Sequence, residues 1–129
     1  MLKLLLVSPD KDAFSGFSSV LAEHDDVELS WAECGEAAFR IVSETTVDLI
    51  VTDEKLGDMT GLGFAGRLLA VNPMINCATV SRLSAKKFHE ASEGLGLMAQ
   101  LPVSPGKVQA EALLQQLRDI KNLMSTVKE

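Results

Sequence analysis

Residues 47–61 read Val47-Asp48-Leu49-Ile50-Val51-Thr52-Asp53-Glu54-Lys55-Leu56-Gly57-Asp58-Met59-Thr60-Gly61. The first six are nearly all apolar, without the alternation of a strand that has one wet face. A run of this kind suits the centre of a parallel sheet covered on both sides. It stops at an aspartate, and loop residues carry the chain from Asp53 to Thr60.

On both sides of this stretch, apolar runs alternate with helical periods. Upstream, Leu4–Val7 ends at Ser8-Pro9-Asp10, a helix-start signal, and Phe14, Phe17 and Leu21 then mark one helical face. Val27–Ala32 is a second strand, with Val27, Leu29 and Trp31 on one side. Cys34-Gly35-Glu36 turns the chain into a helix marked by Ala38, Ile41 and Val42. Downstream, Phe64, Leu68 and Val71 mark a third helix, stopped by Asn72-Pro73. Ile75–Val80 is the fourth strand, and Phe88, Ala91 and Leu95 mark the fourth helix. Leu97–Val103 is the fifth strand; Pro102 lacks a donor, which places it at a sheet edge. Leu113, Leu117, Ile120 and Met124 mark the last helix.

Strict β-α alternation predicts a parallel sheet with right-handed crossovers and helices on both faces, a three-layer α/β/α domain. It spans 1–124, with a frayed tail at 125–129. Ligand chemistry in such sheets gathers at the carboxyl ends of the strands, here Ser8–Asp10, Asp53 and Ser81.

The 129 residues, 47% hydrophobic and 23% charged, make one ordinary globular domain. A net charge of −6 argues against a nucleic-acid surface, which needs clustered lysine and arginine. The apolar N-terminal run is too short to span a membrane. Cys34 and Cys77 form no framework, consistent with a reducing cytoplasmic setting. Gly61-Leu62-Gly63-Phe64-Ala65-Gly66 matches a dinucleotide fingerprint in letters only, because it begins eight residues past the strand end and lacks the later acidic residue. His24 and His89 have no partner at metal-ligand spacing, and Trp31 reads as packing.

The spacing within 47–61 resembles the receiver domain of bacterial response regulators. That family has an acidic residue before an apolar strand and an aspartate at the strand end. An apolar residue follows at three positions, usually a proline at four, and a glycine at eight. Here these fall on Asp48, Asp53, Leu56, Gly57 and Gly61, with only the proline missing. Cys34-Gly35-Glu36-Ala37-Ala38 and Asn72-Pro73-Met74 fall in matching places. The resemblance covers about residues 2–124. It implies a flavodoxin-like, doubly wound sheet of five strands in order 2-1-3-4-5. It also implies a place in two-component or phosphorelay signalling, with a histidine kinase, phosphotransfer or effector protein as partner. A homodimer through the last helix–strand–helix face is a further expectation.

The family's site holds an acidic pair after strand one, the acceptor aspartate, a hydroxyl after strand four and a lysine after strand five. These serve Mg²⁺ and the charge on a transferring phosphoryl group. Asp53 matches the phosphoacceptor and Ser81 the hydroxyl. The acidic pair falls on Ser8 and Pro9, with only the next residue, Asp10, acidic; any metal would rest on Asp10 and Asp53. The lysine falls on Val103 or Ser104, and the switch aromatic on Gln100 or Leu101. Arg82, where the family has a small residue, is the candidate counter-charge, paired with Asp53. The implied protein is an atypical receiver, not an enzyme, with weak or absent Mg²⁺ binding and impaired or absent phosphorylation at Asp53. The alternatives are a conventional phospho-accepting receiver and a flavodoxin-like small-molecule or flavin binder. Lack of a phosphate loop after strand one counts against flavin.

Overall fold

The computed structural model describes the backbone of residues 1–128, with side chains as far as Leu123. Five strands, β1 Leu2–Val7, β2 Val27–Ala32, β3 Leu49–Thr52, β4 Asn76–Val80 and β5 Ala99–Leu101, form one sheet. All pair in parallel, in the order β2-β1-β3-β4-β5. Between and after them run α1 Ser15–Ala22, α2 Gly35–Glu44, α3 Gly61–Val71, α4 Ala85–Ala91 and α5 Lys107–Lys128. Of the expected tail, Glu129 lies outside the described residues, as do all side chains from Met124.

The unbroken apolar runs are explained by two cores, because successive side chains of a strand point to opposite faces. Leu4, Leu6, Leu49 and Val51 face Phe14, Phe17 and Leu21 from the α1 side and Leu113 and Leu117 of α5. Leu5, Val7 and Ile50 face Ala38 of α2 and Phe64 and Leu68 of α3. Trp31 packs edge-on against Phe14 with centroids 6.5 Å apart, as its alternation with Leu29 suggested. On the first face Arg118 of α5 clamps both carboxylate oxygens of Asp26, at the entry to β2.

Several boundaries depart from the sequence reading: β4 begins at Asn76 rather than Ile75, and α4 ends at Ala91, so that Leu95 lies beyond it, before Gly96. β3 begins at Leu49 rather than Val47. β5 spans Ala99–Leu101 rather than Leu97–Val103: Gly96 before it has positive φ, Pro102 after it has no N–H, and Ser104 lies at φ 53°. β5 is the edge strand that Pro102 implied. The first helix opens as a 3₁₀ turn over Lys11–Phe14, capped by Asp10, before α1 begins.

Candidate functional site

The parallel pairing of β1 and β3 continues one residue past β3, with the Asp53 amide donating to the Val7 carbonyl at 2.9 Å. This sets Asp53 beside Ser8, the first residue after β1. Ser8 is only 2% exposed. Its hydroxyl donates to Asp53 Oδ2 at 2.8 Å and accepts from the Asp10 amide at 3.0 Å. Asp53 Oδ1 accepts from the Glu54 amide at 2.7 Å. The carboxylate is thus held by two neutral donors, and among the described residues it makes no ion pair.

The rest of the expected acidic pocket is turned away from it. Pro9 is exposed, and its side chain carries no ligand atom. The Asp10 carboxylate accepts from the Asp12 amide at 3.1 Å, capping the 3₁₀ turn. Mg²⁺ demands oxygen ligands in octahedral array, in practice one or two carboxylates plus water or phosphate. Here the donors at Asp53 are its own carboxylate and a buried hydroxyl already engaged with it. Among the described residues no group of three His, Cys, Asp or Glu could hold a metal ion. The residues present do not fit the family's metal.

Ser81 follows β4 and is buried; its amide donates to the Leu101 carbonyl at 3.0 Å. Its hydroxyl accepts from the Leu83 amide at 3.1 Å, a bond within its own loop. The expected Arg82–Asp53 pair is not formed. The Arg82 guanidinium donates to Glu54 Oε1 at 3.2 Å, and the Arg82 amide to Glu54 Oε2 at 2.8 Å. Arg82 therefore pairs with the residue after Asp53, because that longer side chain reaches across to the β4 loop while the Asp53 carboxylate points back to β1. The arginine side chain is 68% exposed. Val103 and Ser104, at the lysine position, are exposed on the turn after β5 and bring no cation. Gln100 does more than occupy the place of an aromatic: its Nε2 donates to the Leu83 carbonyl at 2.7 Å and lies 3.4 Å from that of Ser81.

The loop after Asp53 is firmly built. Leu56 is fully buried, and Gly57 takes φ 88°. Asp58 reaches across to α2, accepting from the Gly35 and Glu36 amides at 2.9 and 3.0 Å. Those two bonds hold its carboxyl below the usual carboxylate range. They also replace the side-chain cap that Cys34 does not supply. Gly61 has to lack a side chain: a Cβ there would lie 2.5 Å from the Asp53 carbonyl and 2.6 Å from Thr52 Oγ1. The long-range roles of Glu54, Asp58 and Gln100 escaped the sequence reading, since caps and loop ties are sought among near neighbours.

With this geometry in view, the family model for the response regulator receiver domain matches residues 4–118. The chain belongs to the response regulator receiver family. Its structure is similar to the N-terminal domain of an uncharacterized protein from Wolinella succinogenes, at 27% identity and TM-score 0.80, covering 96% of this chain and 99% of that one. It is also similar to the signal receiver domain of an HD domain-containing protein from Pseudomonas fluorescens Pf-5, at 19% identity and TM-score 0.80, covering 96% and 92%. A two-component response regulator from Clostridium difficile matches at 19% identity and TM-score 0.78, covering 96% and 98%. No curated protein matches the chain. Receiver domains are signalling domains that interact with kinases and effector proteins in two-component systems. No helix among the described residues is long and apolar enough to cross a membrane.

Proposed function

We propose that this receiver domain signals in the cytoplasm through protein–protein contact, with phosphorylation at Asp53 impaired or absent. The observation that carries the reading is the buried Ser8 hydroxyl on Asp53 Oδ2 at 2.8 Å, where the family's pattern has a carboxylate for the metal. Phosphoryl transfer to a carboxylate is driven by positioning and by fixed positive charge on the phosphoryl oxygens. At this site the lysine position is apolar or hydroxylic, and the nearby arginine is spent on Glu54. The acceptor remains, while the metal ligands and counter-charges around it are gone. The partner is a histidine kinase, phosphotransfer or effector protein, met on a surface that does not depend on phosphoryl input.

The test is intact mass after incubation with acetyl phosphate and Mg²⁺. An unchanged mass is expected. A gain of one phosphoryl group, lost in Asp53→Asn, overturns the proposal and makes the domain a conventional receiver.

A further inference from the structure

We propose that Glu54 and Gln100 form a clasp on the loop between β4 and α4, residues 81–84, and hold it in one arrangement from both sides. The inference deepens the proposed function, and rests on it only for what a fixed loop means to signalling. β4 lies between β3 and β5 in the sheet, and the clasp has one jaw from each neighbour.

From the β3 side, both Glu54 oxygens engage Arg82, one its amide and one its guanidinium. The carboxylate and arginine thus close a ring that includes the main chain. From the β5 side, the two protons of the Gln100 amide nitrogen face two carbonyls, those of Leu83 and Ser81. Within the loop, the Ser81 hydroxyl accepts from the Leu83 amide, and Ser84 caps α4 by accepting from the Lys87 amide at 3.2 Å. An exposed loop ordinarily bonds water along much of its backbone. Here the amides of Ser81, Arg82 and Leu83 and the carbonyls of Ser81 and Leu83 all have partners within the protein. Any turn of the Ser81 hydroxyl away from the loop gives up its bond to Leu83. The position and start of α4 are then set by the sequence itself, and the face carrying α4 is constant.

Amide hydrogen exchange read by NMR at Arg82 and Leu83 tests the clasp on the intact domain. In the unmodified protein both amides are expected to be protected. Gln100→Leu and Glu54→Ala should each speed exchange at both by about tenfold or more, with β1 and β3 amides unchanged. Glu54→Gln keeps an acceptor for the Arg82 amide and should retain most of the protection. Exchange at open-loop rates in the unmodified protein overturns the clasp, whatever the variants do. So does unchanged protection in both Gln100→Leu and Glu54→Ala. A mobile loop on a domain that acetyl phosphate leaves unmodified sinks the clasp alone. A protected loop on a domain that gains a phosphoryl group sinks the proposed function alone.

Discussion

β3 is framed by two aspartates that live differently. Asp48, at its amino end, accepts from the Lys3 amide at 2.8 Å and lies 2.6 Å from Lys121 Nζ of α5. Burial works against its charge, but Lys121 and the Lys3 amide outweigh it and hold the carboxyl below the usual range. Asp53, at the carboxyl end, has a hydroxyl and one amide and no cation among the described residues. Asp48 therefore ties the first strand and the last helix to the centre of the sheet, a structural role that needs its charge. Asp53 keeps the position of a reactive group while its surroundings ask only for a hydrogen-bond acceptor. The two ends of one motif thus hold their carboxylates by different means, a cation at Asp48 and neutral donors at Asp53.

The contrast breaks most visibly if carboxylates are returned to the site. Ser8→Asp with Pro9→Asp would bury a second carboxylate beside Asp53, and like charges at that distance repel. Without metal the variant should lose about 2 kcal/mol or more. Mg²⁺ at millimolar levels should restore much of the loss by binding the folded state alone. Melting curves with and without Mg²⁺ check this, and an unmodified protein whose melting point rises equally with Mg²⁺ would contradict the proposed function.

Next in size is Asp48→Ala, expected to cost about 2 kcal/mol in urea titration, since it removes bonds made to a charged group. Asp53→Asn should cost less than about 1 kcal/mol, because the remaining carbonyl oxygen can still accept from the Glu54 amide while the new amide nitrogen donates to the Ser8 hydroxyl, whose proton can turn to the Asp10 carbonyl 3.0 Å away. Equal losses would erase the distinction between the two ends of β3.

Asp48 also bears on stability in acid. A carboxylate whose folded pKa is depressed contributes stability that is present above its unfolded value, near 3.9, and lost as pH falls through the folded pKa. Asp48 should therefore give the domain part of its acid limb below about pH 4–5. In Asp48→Asn that limb should be flatter, with less change at neutral pH than Asp48→Ala. A limb of unchanged slope would remove Asp48 from the account.

The two-faced sheet was legible because burial on both sides leaves continuous apolar runs at β1 and β3 and helical periods between them. The strand order came from the resemblance, since periodicity names strands and not their neighbours. The ends of β5 were less legible: Leu97, Met98 and Val103 read as strand, while Gly96, Pro102 and the positive φ of Ser104 end the ladder around three residues. At the site, the absence of carboxylates at Ser8 and Pro9 and of a lysine at Val103 or Ser104 is plain in the residues, once the resemblance assigns those positions. The partner of Arg82 is not, because adjacent Asp53 and Glu54 leave β3 in different directions and only the backbone decides which one faces β4.

The contact between Glu54 and Arg82 gives the smallest effect and the finest test. Glu54 holds Arg82 by two bonds, and the shorter, at 2.8 Å, goes to the main chain. The side-chain bond is 3.2 Å, on a guanidinium 68% exposed. Exposed ion pairs contribute about 1 kcal/mol or less and are screened by salt. Arg82→Ala removes the weaker bond and leaves the amide in place, so stability should change by less than about 0.5 kcal/mol, with little response to salt. Glu54→Ala removes both and leaves the Arg82 amide to water, so it should cost more than Arg82→Ala in the same urea titration. The double variant should then cost no more than Glu54→Ala alone, since the arginine side chain has nothing left to lose. If Arg82→Ala costs as much as Glu54→Ala, the charge pair and not the main-chain bond governs this edge of the sheet, and Arg82 regains the counter-charge role its sequence position suggested.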